Sequence, residues 1–220
     1  MKSIKTHIKE LFEFDKNQNN IIIGTDEAGR GSGVGAVFAS AVYFADTNED
    51  LINKLAKLND SKKLSRKQRE ELYDVIKKET INSTIAIDVE EIETINILNA
   101  SLKAMRLAVT KVSNQINQTD LLVLVDGCHT IPKLTFKQKY VIKGDSKSAS
   151  IAAASILAKV ERDRYMISLA EKYPEYLWDK NMGYLTKDHL NAIDTHGLSP
   201  IHRASFLKKH FAKQEQLSLF

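Results

Sequence analysis

Three short apolar runs in this 220-residue chain each stop at or beside an aspartate. Residues 21–25 ("IIIGT") run into Asp26, residues 121–125 ("LLVLV") into Asp126, and residues 139–144 ("KYVIKG") into Asp145. Runs this short read as buried strands. A carboxylate at the end of such a strand costs little where it faces a cleft, and clefts in α/β folds gather at strand ends. One pattern therefore constrains both the fold and the place of a site.

The remaining segments extend the pattern. Residues 35–44, "GAVFASAVYF", are small, β-branched and aromatic, which suits a second strand. Residues 81–89, "INSTIAIDV", alternate with the period of a half-exposed strand. Ser65 and Gln68 form a capping box ahead of a helix through residue 79. Residues 96–116 carry a helical rhythm, and residues 148–173 predict a long helix stopped by Pro174. Residues 175–213 read as short helices and loops, with a loose tail beyond. Strands come first as a meander and then alternate with helices, which predicts an α/β fold on a mixed sheet.

Composition narrows the class. The chain is 43% hydrophobic and 27% charged, ordinary for a soluble globular protein. No run approaches a membrane span, and the first 20 residues lack a secretory h-region. The lone Cys128 cannot form an internal disulfide, consistent with a cytoplasmic location. A formal net charge of +4 is compatible with a polyanionic partner without requiring one.

The stretch "IIIGTDEAGRGSGVGA" joins an acid pair, Asp26-Glu27, to glycines at 29, 31, 33 and 35. "GSGVGA" satisfies a G-x-G-x-x-A dinucleotide pattern, but no helix signal follows to receive a pyrophosphate. Carboxylates with divalent ions attract the phosphate that carboxylates alone repel, and Mg²⁺ binds oxygen ligands and bridges to phosphate. Nearby glycines let backbone N–H groups approach a nucleic-acid strand. The combination suits metal-dependent phosphodiester cutting. Each acid also has a plain structural reading: Asp145 stands where a helix N-cap belongs. Neighbouring strand residues point to opposite faces, so either the strand bends at Asp26-Glu27 or one acid reaches round.

Six blocks in order resemble the ribonuclease HII family, the type 2 ribonucleases H. They are "GTDEAGRG", "NDSKKLS", "VLVDG", "VIKGDSKSASIAAASILAKVERD", "GYLTKDHL" and "GLSPIHRASF". The resemblance implies an RNase H-like fold: a five-stranded mixed sheet flanked by helices, with a small helical C-terminal part. It divides the chain into an N-terminal extension (1–20), a catalytic domain (21–173), a helical part (174–213) and a tail (214–220). The implied activity is hydrolysis on the 5′ side of a ribonucleotide in RNA–DNA hybrids or ribonucleotide-containing duplex DNA, by a monomer. Asp26, Glu27, Asp126 and Asp145 would be the catalytic quartet, holding two divalent ions, Mg²⁺ or Mn²⁺.

The resemblance further assigns Gly29, Arg30 and Gly31 to the ribonucleotide, and Tyr184 to the next deoxynucleotide's sugar. Plain alternatives are a surface salt bridge for Arg30 and a half-buried anchor for Tyr184. Lys143 and Lys147 are candidate phosphate contacts, as are Lys159, Arg162 and Arg164 unless they form an ordinary solvated face. His202 and Arg203 could touch substrate or serve the C-terminal part. His129 beside Asp126 is expected to be a solvent-facing loop histidine. A catalytically weak hybrid-binding module and a ribonuclease HIII-like specificity are the alternatives. Arg30 and the short N-terminal segment favour HII. The family's prolines after G-R-G are absent here, which predicts a more flexible loop over 32–36. Finally, Gln216, Leu217, Leu219 and Phe220 in the terminal "QLSLF" resemble the peptide by which bacterial proteins dock on the sliding clamp.

Overall fold

The computed structural model describes residues 4–217 apart from Asn117 and Thr119. A five-stranded sheet has the order β3-β2-β1-β4-β5, from β1 (Ile21–Ala28), β2 (Val37–Tyr43), β3 (Ile81–Ile87), β4 (Leu121–Asp126) and β5 (Lys137–Val141). β1, β2 and β3 form an antiparallel meander, while β4 runs parallel to both β1 and β5. The mixed sheet expected from the order of strand and helix signals is the one observed. A strand, β2, follows the glycine loop, so the helix that a dinucleotide site needs is absent there.

Helices cover both faces. α1 (Ile4–Lys16), α2 (Glu49–Lys54), α3 (Arg66–Glu79) and α6 (Ala149–Lys172) share one hydrophobic cluster. α4 (Val89–Ile95) and α5 (Ile97–Ser113) pack on the opposite face with Ile23, Val37, Ala39 and Val123. The capping box opens α3 as expected, with Ser65 and Gln68 serving each other's backbones. The long C-terminal helix signal is α6, and its N-cap is Ser148.

α6 approaches the sheet unusually closely. A Cβ on Gly24 would sit 2.3 Å from the carbonyl carbon of Ser150 and 2.4 Å from the nitrogen of Ile151. The alanines 149, 152, 153, 154 and 158 of α6 are fully buried. Small residues on both elements bring the backbones together, and the helix then runs along β1 toward the glycine loop.

α1 lies in the segment expected as an N-terminal extension, yet Ile8, Leu11 and Phe12 bury one face of it. Their i, i+3, i+4 spacing was the available signal. Asp15 Oδ2 accepts from the Ser150 N–H at 2.9 Å and its hydroxyl at 2.7 Å, fastening α1 to the first turn of α6.

A third cluster forms the C-terminal part, where α7 (Trp178–Asn181), α8 (Lys187–His196) and α9 (Ala204–Leu217) surround Trp178, Tyr176 and Leu207. α9 continues to Leu217, so residues 214–217 are helical rather than a loose tail. Leu219 and Phe220 lie outside the described residues, as do the side chains of Gln216 and Leu217. No helix among the described residues is long and apolar enough to cross a membrane.

Gly24→Ala is expected to destabilise the fold by about 2–3 kcal/mol or more, because the added methyl meets backbone that has no room to yield. Urea unfolding of variant and wild type checks this, and an unchanged midpoint would remove the close contact from the account.

Candidate active site

Pairing of β1 with β4 ends at Thr25 opposite Val125, while β1 continues beside β2 alone to Ala28. This opens the β4-facing edge of β1 over its last three residues. A cavity of about 330 Å³ wraps the open edge, lined by Asp26, Glu27, Gly29, Arg30, Asp126 and Tyr184 among others. By the alternation of the strand, Asp26 shares the α6 face with Ile22 and Gly24. Glu27 is the acid that reaches round.

Asp126 enters from the end of β4, its Oδ1 accepting the Gly144 N–H at 2.7 Å. That bond draws the 143–146 turn, and Asp145 with it, toward Asp126. Lys143 at the head of the turn adopts φ 55° and ψ 47°. Asp145 caps no long helix, since Ser148 does that, and its carboxyl shares a hydrogen bond with Asp60. Three separate segments thus bring the four acids into one electrostatic cluster.

Crowding of like charge out of water raises the pKa values of Asp26, Glu27 and Asp145. Burial pushes Asp26 well above the usual carboxylate range, and Glu27, Asp126 and Asp145 add repulsion. Burial also raises Glu27, although Arg30 pulls it back. Asp145 is lifted to about 6 by burial, then by Asp60 and Asp126. Besides Arg30, Lys62 supplies compensation. Burial works against its ammonium, but Asp145, Asp26, Asp60 and Asp126 outweigh it and raise its pKa. Neither Asp60 nor Lys62 was singled out from sequence, although both lie in the "NDSKKLS" block.

Each quartet acid except Asp145 hands one oxygen to an N–H donor. Asp26 Oδ1 accepts the Glu27 N–H at 2.7 Å, and Glu27 Oε1 accepts from Arg30 Nη1 at 3.0 Å. Among the described residues no three His, Cys, Asp or Glu side chains close on a single ion as they stand. The donor set is oxygen only, which suits a hard divalent cation that keeps waters and takes one or two carboxylates, not a closed protein cage. His129, the other candidate near Asp126, is exposed on its loop as expected.

The glycine loop forms the opposite wall. Gly29 takes φ +98°, and its carbonyl accepts from Arg203 Nη1 at 2.8 Å. The same nitrogen donates to Ser32 O at 2.7 Å, and Arg203 Nε donates to Gly35 O at 2.9 Å. Ser32 Oγ donates to Gly183 O at 2.9 Å, and Gly33 N–H donates to the same oxygen at 3.0 Å. The predicted looseness of residues 32–36 is therefore not what the structure shows: Ser32 through Ala36 are buried and tied on both sides. A buried arginine and a serine hydroxyl replace the missing prolines. His202 and Arg203 serve the scaffold instead of facing a ligand.

Tyr184 stands at the cavity rim, 43% exposed, 3.7 Å from where a Gly31 Cβ would be. Arg30 forms the salt bridge with Glu27 that its plain reading required, and it also lines the cavity. Lys143 and Lys147 are exposed on either side of Asp145, outside the cavity wall. Lys159 lines the cavity while paired with Asp163 at 2.7 Å. Arg164 pairs with Glu70. Arg162, a candidate phosphate contact whose plain alternative is a solvated face, is fully buried under the cavity.

Beneath Tyr184 lies a buried relay. His189 Nδ1 bonds Tyr184 O at 2.9 Å, so Nδ1 carries the proton. Its Nε2 receives Trp178 Nε1–H at 3.0 Å and faces His202 Nε2 at 3.2 Å. His202 Nδ1 accepts the Ser199 N–H at 2.9 Å, so the His202 proton sits on Nε2. An extra proton on His202 would confront a donor. Burial and the neighbouring His189 accordingly lower its pKa from 6.5 to about 4.

The stability that neutral His202 contributes is complete above pH 6.5 and is lost as pH falls toward 4. The loss amounts to roughly 3 kcal/mol at about 1.4 kcal/mol per pKa unit. The raised acids act in the opposite sense but are common to wild type and a His202→Gln variant. Between about pH 7 and about pH 4, wild type should therefore lose roughly 2–3 kcal/mol more unfolding free energy than the variant. Parallel urea curves at the two pH values would contradict the assigned tautomers.

A model of the ribonuclease HII family matches residues 23–214. A ribonuclease HII of Fusobacterium nucleatum is 45% identical over 210 residues, covering 94% of each chain. One of Rickettsia typhi is 47% identical over 197 residues, covering 89% of this chain and 96% of the relative. The ribonuclease HII of Archaeoglobus fulgidus, solved in complex with PCNA, superposes with a TM-score of 0.66 at 26% identity, over 83% of this chain and 93% of that one. Bst-RNase HIII in complex with Mn²⁺ has a TM-score of 0.68 at 17% identity, over 96% of this chain and 73% of that one, a likeness of fold. The sheet order, the acids at the strand ends and this agreement along the chain converge: it belongs to the ribonuclease HII family and is a type 2 ribonuclease H endonuclease.

Proposed function

We propose that the enzyme hydrolyses the phosphodiester on the 5′ side of a ribonucleotide, in RNA–DNA hybrids and at single ribonucleotides embedded in duplex DNA, with divalent metal ions. The observation that carries this reading is the crowding of Asp26, Glu27, Asp126 and Asp145 at the open edge of β1. Buried carboxylates whose repulsion lifts Asp26 and Asp145 form a site that gains from added positive charge. These four would hold two ions, Mg²⁺ or Mn²⁺. Such ions, when bound, acidify water and stabilise the departing oxygen.

The protein's own groups orient the substrate. Gly29 and Gly31 line the cavity and, with Arg30 beside them, would meet a ribose and its 2′-OH, Gly31 from an exposed backbone and Gly29 from one held by Arg203. The Tyr184 ring offers a flat face to the next sugar. Lys143 and Lys147 flank Asp145, where they meet the phosphates of the same strand, a sequence-independent contribution. Lys62, from the turn that precedes α3, faces the acids and joins Arg30 and Lys159 in the cavity wall to support anionic substrate.

Wild type should cut a duplex containing one ribonucleotide when Mg²⁺ or Mn²⁺ is supplied and not otherwise; no cutting in either metal would sink the reading. Asp145→Asn should keep the fold and lower cleavage by at least about 10²-fold, since one charge fewer weakens metal holding. Normal turnover in the folded variant would remove Asp145 from the quartet.

The C-terminal segment is proposed to dock on a sliding clamp through Gln216, Leu217, Leu219 and Phe220. The archaeal relative solved with PCNA supports a clamp partner for such an enzyme. Micromolar affinity, about −8 kcal/mol, suffices for a tether that raises local concentration. Removing residues 216–220 should abolish binding to a bacterial clamp in a pull-down and leave cleavage of a short free duplex intact. Retained binding, or loss of cutting, would show that the segment is not a tether.

A further inference from the structure

Arg162 occupies a place that stability alone does not explain. Its side chain is fully buried, yet Nε and Nη1 have no hydrogen-bond partner. Only Nη2 is used, donating to Met182 O at 3.0 Å. A second buried guanidinium, Arg203, lies close enough to lower its own pKa further through repulsion, after burial. Two buried cations with unmet donors are costly, and an apolar side chain of similar volume would avoid both penalties.

What Arg162 touches explains its retention. Its stem runs directly under Gly29, where a Cβ would lie 2.2 Å from Nε and 2.6 Å from Cδ. The guanidinium carbon lies 5.9 Å from the centre of the Tyr184 ring, within cation–π range. The bond to Met182 O holds a turn in which Met182 has φ +50° and Gly183 +76°, left-handed conformations that a non-glycine residue adopts only under constraint. Thus one planar, rigid group contacts both walls of the cavity, one from the start of the chain and one from its last third. Lysine cannot copy this, because a flexible stem with a point charge offers no plate.

We propose that Arg162 is a positioning residue that fixes the Tyr184 ring relative to the Gly29–Gly31 backbone, and so sets how strictly cleavage is confined to a ribonucleotide followed by a deoxynucleotide. The inference rests on the substrate reading above. Gly29 to Gly31 contact the ribonucleotide and Tyr184 the next sugar, so the spacing between them is the ruler for the junction. Arg162 holds that spacing without touching substrate.

The test compares two duplexes, one with a single ribonucleotide and one with a second ribonucleotide at the next 3′ position. Discrimination is the ratio of kcat/KM for these substrates. Arg162→Met should lower it about tenfold, and Tyr184→Ala should lower it similarly. The double variant should fall no further than Tyr184→Ala alone, because residues in contact do not act additively. Arg162→Lys, which keeps charge and volume, should recover folding but only part of the discrimination. Without substrate, amide exchange of Gly33 and Tyr184 should quicken about tenfold in Arg162→Met, with Val123 in the sheet unchanged. Additive losses, an unchanged ratio with both substrates slowed equally, or uniform loosening that includes Val123 would each overturn the inference. If wild type cuts neither duplex, the substrate reading fails instead, and the exchange pattern still decides whether Arg162 links the two walls.

Discussion

The contact of α6 with β1 at Gly24 organises the rest of the molecule. With no side chain on the strand and small residues on the helix, the two backbones meet. Everything functional is then indexed to that helix. Its first turn, fastened by Asp15, lies beside the Asp145 turn, and Ser155, Lys159 and Arg162 form an i, i+4, i+7 stripe along the cavity. The same stripe ends under Gly29. A shift of α6 by one residue would move the acid turn and the glycine loop together, so metal holding and substrate reading share one mechanical reference.

The electrostatics follow from that compactness. Four acids assembled this closely cannot all ionise comfortably, and raised pKa values at Asp26 and Asp145 are the result. Lys62 compensates in part, from the short 3₁₀ turn Ser61–Lys63, brought to the acids only through the tertiary fold. A site in this condition is stabilised by added positive charge, which is the property a metal-dependent nuclease needs and a structural salt-bridge network lacks.

Much of this is legible in the sequence. The strands of the meander, β4, the capping box at Ser65, the long helix and the aspartates of β1 and β4 follow from patterns within a few residues, whereas the run expected as a buried strand through residue 144 stops at Val141, mostly exposed, and Asp145 stands in a separate turn. The resemblance named the quartet as a set, but whether Asp26 and Glu27 could share a site depended on where the β1–β4 pairing stops, which is a register and not a local pattern. The burial of Arg162 is not legible for a related reason. A charge on a helix is solvated by default, and only the depth of α6 against β1 buries it. Arg203 and Ser32 escaped similarly, since they replace missing prolines by hydrogen bonds across more than 150 positions of sequence.

The two buried arginines show what kind of stability this fold keeps. Arg203 is nearly satisfied and holds the glycine loop by its own carbonyls, so its burial has a structural return. Arg162 has two unmet donors and one bond, to a turn already in a left-handed conformation. A fold optimised for stability would replace such a group with hydrocarbon. Its presence at the meeting point of Gly29, Met182 and Tyr184 places the least comfortable charge of the interior where two distant segments must keep a fixed separation. A planar cation does that better than an alkyl chain, because its face constrains the ring above it and its edge constrains the carbonyl beside it. The cost in stability and the gain in geometry therefore fall on the same side chain.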